Sequence, residues 1–271
     1  MALRFHLYAA GVLAPGVASL QELFALRRQE RAVEVCELRL PSPQVLQANE
    51  RRRASQVVRL TLACAAQALQ GSPFPAAQLR LVFASDEGTG EVCQQMLEAL
   101  SVGRELSPLV FHNSVHNAPS GYFSIGYQNQ QSALSVSLGK ESFASGLLCA
   151  ATEAHCTGQP VLFVAYDAPM PQPLQALLPI AQASATAWVI GGAATPAPSQ
   201  AALATFKLDL RQTDAAFDDA TPAWLPASWG SNGSALGFVA LALLEEPGGS
   251  YELRLGHQRL CLERSAESSQ C

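Results

Sequence analysis

Residues 160–169 read PVLFVAYDAP, six apolar side chains in an unbroken row that end on Asp167. A strand with one wet face alternates apolar and polar residues. A short continuous run predicts instead a strand buried on both faces, the kind found in sheets covered by helices on two sides. The flanking sequence supplies such helices. A strand at 3–14 turns at Pro15 into a helix at 19–29, and a half-buried strand is expected at 32–41, stopping at Pro41. A long helix follows at 47–71, with Asn49 as its cap and Gly71 as its stop. The segment 79–90 is a strand entering a glycine loop, 91–101 a helix, 133–139 an alternating strand, and 142–158 a small-residue helix. Strands alternating with helices define an α/β layered fold, expected as a mostly parallel mixed sheet flanked by helices. Beyond residue 170 the pattern weakens. It reads as helix then strand over 174–192, a loop, a strand at 206–214, an irregular stretch at 218–234, an apolar helix at 235–246, a strand or hairpin at 251–264 and a frayed polar tail.

The 271 residues can bury a sizeable core. About half are hydrophobic (49%) while 14% are charged, a composition suited to close helix–sheet packing and to a surface completed by a partner. A net charge of −5 argues against nucleic-acid binding. The seven cysteines form neither CxxC pairs nor a compact framework, which points to free thiols in a reducing, cytoplasmic compartment. The opening MALRFHLYAAGVLAPG has an early Arg4 and an apolar stretch, but His6 and Pro15 interrupt it, so no secretion signal is expected. No run reaches the roughly 20 apolar residues of a membrane span.

Individual motifs weigh lightly. His112 and His116 have the spacing of two metal ligands on a helix, but Asn113 and Asn117 intervene and a loop role is expected, with no metal or cofactor. GSNGSALG at 230–237 lacks the glycine spacing and the Lys-Ser/Thr ending of a phosphate loop. No GxSxG elbow occurs, and DEGTGE at 86–91 has no acid–base partner near it in sequence. Arg51, Arg52, Arg53 and Arg59 form a basic cluster that is either a solvated helix face or a dock for an acidic partner.

The stretch 111–146, FHNSVHNAPSGYFSIGYQNQQSALSVSLGKESFASG, resembles the N-terminal half of the thiolase-like β-ketoacyl synthases, with Asn117, Ser120, Gly121, Ser124 and Ile125 in register. The opening strand, turn and helix and the PVLFVAYDAP strand fit the same order, so the resemblance spans roughly residues 1–170. The departures concern chemistry. The family's Gly-x-x-Gly-Pro turn has become Gln128-Asn129-Gln130-Gln131-Ser132, and its Thr-Ala-Cys falls on Leu138-Gly139-Lys140, which puts Lys140, or Gly139 if the count slips by one, at the nucleophile position. Cys149 lies nine residues further on, and His257 lacks the setting of the family's catalytic histidines. Condensation needs a thiolate and polar groups for the developing charge.

NSVHNAPSGY, SF-A-GL and VAYD-P are similar to the small ketosynthase-like chain-length factors of aryl polyene pathways. The resemblance implies a catalytically silent subunit that forms a heterodimer with a full-length β-ketoacyl synthase. It also implies contact with an acyl carrier protein, docked at Arg51, Arg52, Arg53 and Arg59. The expected domains are a thiolase half over 1–175 and an α/β extension of it over 176–271. The strand at 132–139 is the expected partner interface. Asn113, His116, Asn117, Tyr122, Ser135, Ser137 and Leu138 are the candidate interface or tunnel residues. Two alternatives stay open: a stand-alone homodimer that binds acyl chains, or an enzyme of another class using Lys140, His116 or Ser124, for which a buried Lys140 would be the mark.

Overall fold

The computed structural model describes residues 2–33, 37–196, 202–212, 222–229 and 233–266. Eight strands run in chain order: β1 (Ala2–Leu13), β2 (Arg80–Ala84), β3 (Ala133–Val136), β4 (Val161–Asp167), β5 (Ser184–Gly192), β6 (Ala204–Gln212), β7 (Ser250–Leu255) and β8 (Gln258–Arg264). The helices are α1 (Leu20–Arg27), α2 (Ala48–Arg53), α3 (Gln56–Gln70), α4 (Gly90–Ser101), α5 (Pro108–His112), α6 (Ala118–Tyr127), α7 (Ser142–Thr157) and α8 (Leu236–Ala242). The strands form one sheet in the order β3-β2-β4-β5-β1-β6-β8-β7.

The layered α/β class and the mixed sheet are as expected, but the parallel share is smaller. β3, β2 and β4 run parallel, and every pairing from β4 outward to β7 is antiparallel. Continuous apolar runs such as Ala185–Ile190 record burial on both faces and carry no information on strand direction.

Both β4 and β5 are buried along their whole length. One face of the sheet packs Val82, Phe163, Trp188, Ile190 and Phe206 against Phe143, Leu147 and Ala151 of α7 and against Phe238 and Leu241 of α8. The other face packs Leu81, Phe83, Leu162, Val164 and Val189 against Val58, Leu62 and Ala65 of α3 and Phe123 of α6. In β1 the pairing with β5 slips between Leu7 and Ala9. Leu3, Phe5 and Leu7 face α7, and after this bulge Val12 does, so the extra residue exchanges the two faces. Gly11 then lies directly under α3, where a Cβ would collide with the Cys64 carbonyl.

Several local expectations change. The helix expected at 47–71 is broken: Ala54 is extended (φ −61, ψ 119) and buried, α2 starts from Gln47 rather than Asn49, and α3 ends at Gly71 as expected. Of the strand expected at 32–41, residues 37–40 lie outside the sheet, and 34–36 lie outside the described residues. The helix expected after residue 173 is a single 3-10 turn, Leu174–Ala176, between Pro173 and Pro179. Residues 108–112 and 118–127 are helical, and 113–117, with His116 and Asn117, form the loop between them. Pro108 and Pro119 sit in first turns, where the missing N–H costs nothing. The expected strand at 133–139 is shorter, Ala133–Val136, and the terminal hairpin forms as β7 and β8. Much of the irregular 218–234 stretch and of GSNGSALG, and the tail from 267, lie outside the described residues.

α7 approaches the sheet closely at Gly146, where a Cβ would sit 2.6 Å from both the Ala84 Cβ and the Phe163 Cε2. Helix propensity alone favours alanine over glycine by about 1 kcal/mol. The prediction is that Gly146→Ala nevertheless lowers the unfolding free energy by about 1–3 kcal/mol, because the core is overpacked. Urea denaturation reads this directly, and a stabilised variant would show that α7 can move away from β2 and β4.

Candidate functional site

Three parallel strands end side by side: β2 at Ser85-Asp86, β3 at Ser137–Lys140 and β4 at Asp167. The carboxyl ends of neighbouring parallel strands are where ligands and reactive groups collect in open α/β sheets. Here they converge on the carboxylate of Asp167, which is fully buried. It accepts hydrogen bonds from the Asp86 N–H at 2.9 Å, the Ser85 Oγ at 3.3 Å and the Ser234 N–H at 2.7 Å. The Ser234 and Ser184 hydroxyls are 2.7 Å apart. One side chain therefore ties the end of β2 to the turn before α8, beside the start of β5. Burial pushes the Asp167 pKa up to about 6, with Asp86 adding to the rise, while the donors from Ser234 and Asp86 pull against it. Burial also raises Asp86, against the positive charge of Lys140.

β3 leads through Ser137 and Leu138 into a tight turn at Gly139 (φ 57) and then into α7. The Ser137 Oγ donates to the Asp86 carbonyl at 2.8 Å, and the Ser142 Oγ accepts from the Leu138 N–H at 2.8 Å and donates to the Gly139 carbonyl at 2.6 Å. This strand–turn–helix elbow presents Lys140, and its side chain is exposed. The burial that would mark a nucleophilic amine is absent at this residue. A cation beside the positive end of α7 also has the opposite sign to the thiolate that a helix N-terminus stabilises. Glu141, the next residue, accepts from the Gly256 N–H at 2.7 Å and pairs with Arg254 at 3.4 Å, which holds the β7–β8 turn and its exposed His257 against the elbow. Cys149 is half-buried inside α7, and burial, reinforced by Glu153, pushes its thiol pKa up.

The remaining candidates gather around α5 and α6. Asn113 is buried, and its amide group donates to the Arg53 carbonyl at 3.0 Å and to the Leu109 carbonyl at 3.2 Å. His116 is half-buried; burial lowers its pKa, partly offset by a hydrogen bond with the Ser85 backbone, and its Nε2 is buried without a partner among the described residues. Asn117 is exposed ahead of α6, and its carbonyl accepts from the Gly121 N–H and the Ser120 Oγ. Tyr122, expected in a loop, is buried in α6, edge-on to His112 at 6.1 Å and within the field of Arg53. Ser124, named as a possible reactive residue, has its hydroxyl donated to the Ser120 carbonyl at 3.0 Å. Ser135 is half-buried on β3, opposite Phe83.

The end of β2 links these groups to the elbow: Ser85 meets His116 and Asp86 meets Ser137. Asp167, Ser184 and Ser234 escaped sequence reasoning because their partners lie far apart in the chain. The available signal was an acid closing an apolar strand, in VAYD and again in ASD. Among the described residues, no three His, Cys, Asp or Glu side chains are grouped as metal ligands, and no helix is long and apolar enough to cross a membrane.

A family model described as "Beta-ketoacyl synthase, N-terminal domain" matches residues 26–227, and the chain belongs to that family. Solved structures agree. A ketosynthase (ApeO) in complex with its chain length factor (ApeC) from Xenorhabdus doucetiae matches with a TM-score of 0.72 and 21% identity, over 97% of this chain and 100% of that one. The AntDE:AntF complex, a type II PKS acyl-carrier protein with its ketosynthase, matches with a TM-score of 0.73 and 11% identity, over 98% and 100%. The ishigamide ketosynthase/chain length factor matches with a TM-score of 0.69 and 11% identity, over 97% and 99%. At these identities the likeness establishes the fold, which is ketosynthase-like and thiolase-type. No curated protein sequence matches the chain.

The Asp167 carboxyl gives the site a pH signature. Its pKa is higher in the folded chain, about 6, than its ordinary 3.8, so the folded state binds the proton more tightly. The stability this group contributes is therefore fully present below about pH 4 and falls as pH rises through 6. Relative to Asp167→Asn, which does not titrate, the wild type should lose roughly 2 kcal/mol of unfolding free energy between pH 4 and pH 7. Urea midpoints for both proteins across that range measure it. A difference that does not vary with pH would contradict the assignment.

Proposed function

We propose that the chain is a non-catalytic, ketosynthase-like chain-length factor that pairs with an active β-ketoacyl synthase and shapes its acyl tunnel in polyketide or aryl polyene synthesis. The observation that supports this best is the open edge of the sheet at β3. Among the described residues no strand pairs with its outer side. In a parallel ladder, a residue's N–H and C=O point to the same neighbour. The Ser132 and Val136 carbonyls accept from the Leu81 and Ser85 N–H groups, so Ala133 and Ser135 turn their backbone groups outward.

Exposed apolar surface gathers in the same part of the chain. Of the eleven exposed large hydrophobic residues among those described, nine lie between Leu97 and Leu138, on α4, α5, α6, β3 and their connections. An unblocked strand edge beside apolar surface is a pairing surface that a chain acting alone would ordinarily protect. The similar structures include complexes of a ketosynthase with a chain length factor, which supports a synthase as the occupant.

In this reading Asn117, Ser137 and Leu138, which are exposed, touch the partner. Asn113, His116 and Tyr122 are covered to differing degrees and hold α5 and α6 in position. Apolar groups at the seam close the end of the partner's acyl tunnel, because side chains that fill a close-packed site exclude a longer chain. The acidic carrier protein docks on the arginines of α2 and α3. Exposure of Lys140 and the raised thiol of Cys149 disfavour a covalent acyl intermediate on this chain.

Coexpression with the cognate synthase, followed by size-exclusion with mass determination, should give a stable 1:1 complex. Leu134→Asp with Leu138→Asp should weaken that complex by about 30-fold or more. Lys140→Ala should leave association and condensation unchanged, whereas loss of the partner's nucleophile abolishes condensation. A synthase with full rate and unchanged product length in the absence of this chain would overturn the proposal. A homodimer that ignores the synthase would favour the acyl-binding alternative.

A further inference from the structure

Two buried acids stand at the carboxyl ends of the parallel strands, and their surroundings differ. The Asp167 carboxylate takes three donors. Asp86 is 8% exposed, and among the described residues no hydrogen bond or ion pair reaches its carboxylate. Its backbone is pinned on both sides: the N–H donates to Asp167 at 2.9 Å, and the carbonyl accepts from the Ser137 Oγ at 2.8 Å. The side chain lies against the elbow between β3 and α7, where a Cβ on Gly139 would come 3.6 Å from the Asp86 Oδ1.

A carboxylate that has lost most of its water needs a donor or a cation in return. Lys140 favours the charged form of Asp86 through its field, yet makes no ion pair with it. Glu87 and Asp167 add negative charge nearby, and the charge of Asp86 raises both in turn. Burial favours the neutral form of His116, which meets the Ser85 backbone, so it brings no countercharge. The carboxylate is not sealed in. Its oxygens reach the surface, and the chain beside it, Ser137 through Lys140, is exposed. Those four residues continue β3, whose outer edge carries no strand among the described residues. A partner laid along that edge runs on past Ser137 to the elbow, which brings its side chains to Asp86.

We propose that Asp86 is the charged anchor of this seam and accepts a cationic side chain, an arginine or a lysine, from the synthase. This rests on the pairing proposed above. A guanidinium suits the position best, because it is weakly hydrated and presents two parallel N–H groups to one carboxylate. The isolated chain thus carries an acid that weakens it when alone and holds the complex together once paired.

Two measurements on Asp86→Asn test this. In the isolated chain at pH 7, urea denaturation should give a folding equilibrium that is unchanged or up to about tenfold more favourable, since an uncompensated charge is removed. In the complex with the cognate synthase, the dissociation constant should rise about 30-fold or more, because the partner's cation is left covered and unpaired. Glu87→Gln removes the same charge from the next residue and should weaken the complex by less than about threefold. Alanine replacement of the synthase's arginines and lysines should find one whose effect does not add to that of Asp86→Asn. A complex that Asp86→Asn leaves as tight as before would overturn the proposal, and altered product length in that variant would then assign Asp86 to the acyl chain. Marked destabilisation of the isolated chain by Asp86→Asn would also overturn it, by showing that Lys140 already pairs with the acid. If the wild-type chain forms no complex, the pairing fails and the anchor with it. If the complex forms and only the Asp86 effect is missing, the pairing stands.

Discussion

The structure depends on two strands that have no wet face. β4 and β5 are buried from end to end, and Phe163, Tyr166 and Trp188 belong to the largest fully covered side chains of the molecule. Burying a large side chain contributes roughly 1.5–3 kcal/mol, so such strands require helices on both faces. α7 and α8 supply one layer and α3 and α6 the other. Glycine and alanine at the contacts let α7 and α3 settle closely onto the sheet, and Gly146, Gly192 and Gly11 are positions where even a methyl group would intrude. The centre is complete. Among the described residues the sheet ends on the parallel side at a four-residue β3 that is exposed or half-exposed throughout.

That asymmetry organises the candidate site. The three parallel strands bring Asp86, Lys140 and Asp167 to one end of the sheet, and the Asp167 carboxylate makes the junction rigid by taking donors from β2 and from the turn before α8. A buried charge held by several donors is costly to disturb, because loss of a donor leaves desolvation uncompensated. The elbow between β3 and α7 presents an exposed lysine. Its immediate neighbour, Glu141, holds the β7–β8 turn.

The sequence made the layers legible because hydrophobic periodicity records burial. PVLFVAYDAP, the small-residue helix at 142–158 and the terminal hairpin are all visible in the chain, and so is the ketosynthase resemblance. Strand direction was not visible, since a strand buried on both faces reads the same either way. The break at Ala54 was hidden because Ala54 is a good helix former that tertiary packing holds extended. Helices α5 and α6 were masked by Pro108, Pro119 and Gly121, residues that read as loop yet fit first turns and an exposed face. In the site, the elbow was readable from local order. The Asp167 contacts with Ser85 and Ser234 join residues distant in sequence, and no local pattern encodes them.

The central claim is that the outward edge of β3 is a seam awaiting a synthase. Site-resolved hydrogen–deuterium exchange at the Ala133 and Ser135 amides, with and without the cognate synthase, tests it most directly. Both amides face away from β2, so fast exchange is expected in the isolated chain. In the complex they should be protected by about 100-fold or more, as expected for amides that gain a strand partner. Protection confined to other surfaces, with Ala133 and Ser135 exchanging as fast in the complex as alone, would contradict the account.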